Sequence, residues 1–168
     1  LPPHAGGHEK AMTAKPKHRL RALIDTDVFV IDLRYPHDDR YEINRAFLER
    51  VEQGQILGRT TIYNLLEVCG ILSFNLSEQR LEELFIGFAE HFGVQVLFPP
   101  GEGTEVCFDP VSVLRLMKKK FAFGDALIAE LAWLYRRRLD LLVTWNAVHF
   151  EGKLPLRVAT PEQFLEGG

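Results

Sequence analysis

Three carboxylates stand in apolar company, where a charge is costly unless a cation or several hydrogen-bond donors meet it. Asp25 follows Ala22-Leu23-Ile24, Glu67 lies inside the run from Thr60 to Leu72 with Tyr63 and Ile71 one turn to either side, and Asp125 leads into Ala126-Leu127-Ile128-Ala129. Singly, each has an ordinary reading. Asp25 would sit in a turn at a strand end, Glu67 would point outward from a helix rim, and Asp125 would cap a helix whose dipole favours negative charge at its start. Together they come from three elements that a parallel sheet can bring to one edge, the edge where open α/β sheets bind ligands. The set offers only oxygen donors, which suits a hard divalent ion, Mg2+ or Mn2+. Zinc is a poor fit, because His4, His8, His18, His37, His91 and His149 form no HExxH or comparable ligand spacing.

The elements that must position these acids follow from the apolar patterning. Ala22 to Val30 is broken by Asp25 and Asp27 and reads as a buried strand ending at or near Asp25. His37-Asp38-Asp39 offers a helix start, and Ile43, Ala46, Phe47 and Val51 follow at helical spacing up to Gly54. Gly58 introduces Thr60 to Leu72, apolar on nearly every side as a central helix is. Ser77 caps a further helix whose Leu81, Leu84, Phe85 and Phe88 form its buried face. Val94 to Phe98 is a second strand, and Asp109-Pro110 opens a helix that ends in Lys118-Lys119-Lys120. A helix from Asp125 to Arg138 and strands at Asp140 to Thr144 and Leu156 to Ala159 complete the series. Strands alternating with helices predict an α/β sandwich around a largely parallel sheet.

The 168 residues carry 20 Lys and Arg against 23 Asp and Glu, a net charge of −3. That excludes a generally basic nucleic-acid coat, so a polyanion would have to meet local patches. Arg115, Lys118, Lys119, Lys120 and Arg136 to Arg138 are the candidates, set against the plainer reading of solvated helix ends that complement the dipole. Cys69 and Cys107 form no CxxC pair and are too few for a disulfide framework, so they read as buried thiols in a reducing cytosol. No apolar run approaches the ~20 residues of a membrane span. A soluble, cytoplasmic protein is expected.

The order of these pieces resembles the PIN domain, a family of metal-dependent nucleases. The resemblance rests on Asp-Thr-Asp after a hydrophobic strand (Asp25, Thr26, Asp27), Leu-Glu in a mid-chain helix (Leu66, Glu67), Asp-Ala-Leu-Ile-Ala (Asp125 to Ala129), and Leu-Val-Thr-x-Asn-x-x-x-Phe (Leu142 to Phe150). It covers nearly everything from Ala22 to Leu165, with the closing Leu-Arg-Val-Ala-Thr-Pro-Glu-Gln-Phe segment similar to the family's last strand and short helix. It implies a three-layer α/β/α sandwich with a mainly parallel sheet. On that basis residues 1–19 are a leader or flexible extension, and 20–166 are one PIN-like domain. Many compact bacterial members are toxin ribonucleases of toxin–antitoxin pairs, the VapC-like group.

The resemblance implies that Asp25, Glu67 and Asp125 are catalytic and hold one or two Mg2+ or Mn2+ ions, with Thr26, Asp27 and Thr144 supporting them. Arg115, Lys118, Lys119 and Lys120 would meet RNA. Members often carry a fourth acid where this chain has Asn146, whose carbonyl oxygen can still coordinate an ion or hold a water. An antitoxin and a second copy of the chain are the implied partners, with the helix from Ser77 to Phe92 (Leu84, Phe85, Phe88) as the surface for them. Two other readings stay open. One is a non-catalytic PIN-like module that binds RNA or protein. The other, a haloacid-dehalogenase-like phosphatase, shares the Asp25-Thr26-Asp27-Val28 pattern, but its strand-end Thr should precede the Lys, and Thr144 falls after Lys118 to Lys120.

Overall fold

Strand β1 (Arg21–Ile24) is the centre around which the chain assembles. In the computed structural model, which describes residues 19–101 and 108–167, five strands form one sheet in the order β3-β2-β1-β4-β5. Every pairing is parallel. Beside β1 lie β2 (Leu57–Thr61) and β4 (Leu141–Val143), with β3 (Val94–Leu97) and β5 (Arg157–Ala159) at the edges. Side chains alternate across the pleat. Ala22 and Ile24 of β1 share a core with Leu141 and Val143 of β4, whereas Leu23 and Leu142 belong to a core on the other face. A sheet covered on both faces must be apolar on both, which is why β1 and β4 read as unbroken apolar runs.

The first core is covered by α1 (Thr26–Arg34), α2 (Tyr41–Glu52), α3 (Ile62–Leu72), α4 (Glu78–Phe92) and α8 (Pro161–Glu166). Phe29 of α1 and Phe88 and Phe92 of α4 meet there with ring centroids 4.8 to 4.9 Å apart. The second core lies under α5 (Pro110–Met117), α6 (Phe123–Leu134) and α7 (Ala147–Phe150). This is the three-layer α/β/α sandwich expected. Among the described residues, no helix is long and apolar enough to cross a membrane. The expected leader lies outside the described residues except for Arg19, as does Cys107; Cys69 is buried.

The structure corrects two expectations and assigns a segment the sequence left open. Leu57 to Thr61 is a strand rather than the approach to a helix, and α3 begins only at Ile62. The turn between them is sharp because the Thr61 side chain caps the Asn64 N–H while the Asn64 side chain answers to the Thr61 N–H. The first strand does end just before Asp25, and the apolar residues after it, which sequence patterning leaves unassigned, form α1. On α4, Phe88 is fully buried but Phe85 is 41 % exposed, so only part of the expected face is core.

Gly58 shows why β2 tolerates no side chain at that position. A Cβ there would stand 2.4 Å from Val51 Cγ1 and 2.9 Å from Val94 Cγ1, both on stiff β-branched side chains. Gly58→Ala is expected to destabilise the fold by about 1–3 kcal/mol through overpacking. The check is a lower urea midpoint with an unchanged m-value.

Candidate functional site

Asp25 is fixed by the register of the sheet before its own side chain does anything. Its N–H donates to Val143 O at 3.0 Å, extending the β1–β4 ladder by one step and setting the residue at the carboxyl edge of the sheet. The residue is 7 % exposed. Its Oδ1 accepts from Thr26 N–H at 2.9 Å and from the Asn64 amide at 3.0 Å, and its Oδ2 accepts from the Thr144 hydroxyl at 2.8 Å. Asp25 therefore does cap α1, and it also forms the centre of a buried polar cluster.

Asp27 joins that cluster from the first turn of α1. Its Oδ2 accepts from Trp145 N–H at 3.0 Å and faces the Thr144 hydroxyl at 3.1 Å. The other oxygen, Oδ1, is buried and makes no well-formed hydrogen bond among the described residues. Thr144 is fully buried and also accepts the Asn146 N–H at 3.0 Å. It has one proton to offer and two carboxylates facing it, so the pair is under-supplied with donors. Burial, followed by the charge of Asp27, pushes the Asp25 carboxyl up to about 7. Burial likewise raises Asp27, against the opposing hydrogen bonds from Trp145 and Thr144.

Glu67 and Asp125 approach from two other helices. Glu67 is exposed on α3, as a rim residue would be, yet its Oε2 accepts the Thr26 hydroxyl beside Asp25. Its Oε1 stands 3.9 Å from where a Cβ on Gly124 would lie, so the carboxylate sits against the start of α6 one residue before Asp125. Asp125 occupies the third position of α6, whose N-cap is Ala122, so it is not the capping residue its sequence position suggested. Partial burial raises its pKa, and His149 and Lys153 act in the opposite direction. Asn146 is exposed at the start of α7 and its side chain makes no capping bond. Its backbone is one hydroxyl away from Asp25.

The cationic candidates separate. Arg115 and Lys119 line a cavity against α6, and Lys118 and Lys120 do not. Lys120 instead takes a left-handed backbone, φ 69°, in the turn after α5.

Two further residues hold the cluster, and sequence patterning did not single them out. Asn64 is fully buried; its amide donates to Asp25 Oδ1 and to Thr26 Oγ1, both at 3.0 Å, while its carbonyl accepts from the Thr61 hydroxyl at 2.6 Å. Its signal is a lone amide in an apolar helix, three residues after Thr61 and three before Glu67, which is capping-box spacing followed by one helical turn. Asn44 of α2, also fully buried, donates to Val28 O and accepts from Trp145 Nε1, each at 2.8 Å. It holds the loop that carries Thr144 and Asn146 onto α1.

These donors fit a hard divalent cation in kind. All are oxygens, one buried carboxylate oxygen makes no well-formed hydrogen bond among the described residues, and the local charge is underbalanced. Among the described residues, no three His, Cys, Asp or Glu side chains already converge on one point. Mg2+ needs no such closed cage, since it keeps several waters and takes one or two carboxylates.

No family model and no curated protein matches the sequence. Solved structures do match the fold. VapBC-1 from nontypeable Haemophilus influenzae superposes with a TM-score of 0.56 at 20% identity, over 85% of this chain and 99% of that one. DNA-bound VapBC from Salmonella typhimurium gives 0.55 at 16%, over 84% and 98%. VapBC2 from Rickettsia felis, bound to a DNA fragment from its promoter, gives 0.54 at 17%, again over 84% and 98%. The chain shares their fold along nearly its whole described length, and that fold is the PIN-like α/β/α sandwich.

Proposed function

We propose that this protein is a divalent-metal-dependent endoribonuclease of the VapC-like kind, the toxic half of a toxin–antitoxin pair acting in the cytoplasm. The observation that carries the reading is Asp25, a buried carboxylate at the ligand-binding edge of a parallel sheet, with Glu67 and the start of α6 beside it. The neighbours' fold supports it, and their names are those of the group the sequence motifs resemble.

In this reading Asp25, Glu67 and Asp125 would hold the ion, with Asn146 contributing its carbonyl or a bound water. A divalent ion held there would supply water activation and charge neutralisation at the scissile phosphate. The protein's own residues supply placement. Asn64 and Thr144 grip one oxygen each of Asp25, and Thr26 turns Glu67 toward it. Incubating single-stranded RNA with the protein and Mn2+ or Mg2+ tests the reading: internal cleavage is expected, and cleavage undiminished by excess EDTA would sink it.

A non-catalytic PIN-like module is the second reading. Asn146 favours it, since its side chain is exposed and brings no fourth charge. A chain that binds no Mn2+ under calorimetry and cuts nothing would be that module.

The proton on Asp25 gives a pH signature. In the metal-free protein this carboxyl stays protonated up to about 7, and a cation must displace that proton. Affinity for Mn2+ is therefore expected to rise from pH 6 to pH 8, by roughly tenfold per unit below the pKa. Calorimetry in buffers of different ionisation heat should find close to one proton released at pH 6 and almost none at pH 8.

The antitoxin and a homodimeric state belong to the same proposal. The surface for them shifts from the one the sequence suggested, to Phe74, Phe85 and Ile86, which are 89 %, 41 % and 76 % exposed, while Phe88 is core. A monomeric elution profile at high concentration would remove the dimer.

A further inference from the structure

Three consecutive arginines follow α6. Arg136, Arg137 and Arg138 make a short 3-10 turn after α6 and are all exposed. The turn is fastened through its backbone, because the Arg21 guanidinium donates to Arg137 O at 3.2 Å and that of Arg59 donates to Arg138 O. Arg21 in turn is paired with Asp140, Nη2 to Oδ1 at 2.6 Å. Among the described residues, no ion pair joins Arg59, Arg136, Arg137 or Arg138 to an acid. The crowding has a cost, since burial, followed by repulsion from Arg21 and Arg138, holds the Arg59 guanidinium below its ordinary pKa against the opposing charge of Asp140. A cluster of like charge with so few acids is built to meet an anion from outside.

Beside this turn lies a cavity of about 560 Å³, floored by Pro99, Leu116, Trp133 and Leu134 and rimmed by Arg115, Lys119 and Arg136. Lys119 Nζ and the Arg136 guanidinium stand 5.8 and 5.9 Å from the Trp133 ring centroid, so the ring holds both cations at the rim. Among the described residues the lining holds two acids, and their partners lie in the same wall. Asp109 caps α5 and binds the Ser112 hydroxyl at 2.7 Å, and Glu130 accepts the Asp109 N–H at 3.3 Å.

We propose that the arginine turn and the adjoining cavity form a second RNA-contact surface, with phosphodiester oxygens on Arg136, Arg137 and Arg138 and an unstacked base against the apolar floor. Fixed cations next to an apolar slot are what single-stranded nucleic acid requires. The surface is separate from the acid cluster. Trp133 lies eight residues beyond Asp125, about 12 Å along α6, and Arg21 begins the strand that Asp25 follows. That the polymer is RNA rests on the nuclease reading; the surface itself does not.

Fluorescence anisotropy of a labelled single-stranded RNA oligomer, measured in EDTA so that nothing is cut, tests this. Arg137→Ala/Arg138→Ala keeps the backbone carbonyls that hold the turn, so its thermal midpoint should match the wild type. Its dissociation constant should rise at least about fivefold, and the slope of log affinity against log salt should fall by about 1.4, at ~0.7 per lost phosphate contact. Lys119→Ala should weaken binding in the same direction, and Arg80→Ala, on α4 and ion-paired with Glu83, should leave it unchanged. Binding unaffected by the double variant overturns the proposal even if RNA is cleaved. Weakened binding in a protein that cuts nothing overturns the nuclease reading and upholds the surface.

Discussion

Asp25→Asn is expected to lower RNA cleavage by at least about a thousandfold, while the metal-free variant melts higher than the wild type at pH 8. The first effect follows from losing one formal charge at the centre of the site, a loss of several kcal/mol where charge is neutralised in the reaction. The second follows from the sign of the pKa shift. Asp25 is raised from 3.8 to about 7 on folding. The stability associated with its protonated form is complete below the unfolded value and is lost as pH rises through about 7. An amide has no such penalty. It is also isosteric: its NH2 would donate to Thr144 Oγ1, whose proton then turns to Asp27 Oδ2, 3.1 Å away. Differential scanning fluorimetry at pH 5 and pH 8 should show the variant's advantage growing by roughly 5 °C between the two. Full cleavage by the variant would reduce Asp25 to a helix cap.

Asn64→Leu should damage both the fold and the reaction, by about 3 kcal/mol and about a hundredfold. The leucine keeps the branched outline, but it leaves the Thr61 N–H and hydroxyl without their acceptor and Asp25 Oδ1 without one of its two donors. Each buried polar group left unpaired costs about 1–3 kcal/mol. The rate falls because Asp25 and Thr26 are no longer held in one plane of hydrogen bonds, and small misplacements at a reacting centre are costly. Urea unfolding and cleavage below the unfolding transition separate the two effects. A destabilised variant that cuts at the wild-type rate would make Asn64 a cap of α3 and nothing more.

Much of the fold was legible because burial on both faces leaves a direct trace. Leu141, Leu142 and Val143 could be little else than an interior strand, and Ser77 and Asp109 mark helix starts with the residue types such starts demand. Strand β2 was hidden for a physical reason. Thr60 and Thr61 pass into Ile62 with no glycine, proline or polar break, and a short apolar run has no period that distinguishes strand from helix. The same ambiguity concealed α1, whose Val28 to Ile31 are all buried. The acids themselves were visible by their company. What held them was not, because Asn64 and Asn44 act across 39 and 16 residues respectively, and no local pattern records such a contact. The arginine turn reads in sequence as an ordinary solvated helix end. Its significance comes from Arg21 and Arg59, which only the sheet brings beside it.

The parallel pairing of β1 with β4 also sets a schedule. The hydroxyl that completes the Asp25 cluster belongs to a residue 119 positions later, and so does the second ladder beside β1. At a synthesis rate of about 5–20 residues per second, Thr144 is made on the order of ten seconds after Asp25. Until then the nascent chain can form α1 to α4 against β1 and β2, but Asp25 has neither the Val143 carbonyl nor the Thr144 hydroxyl that fix it. Translation therefore delivers most of the first core before it completes the Asp25 cluster. On the toxin proposal, a partner that recognises α3 or α4 would have that interval in which to bind a chain whose site is incomplete.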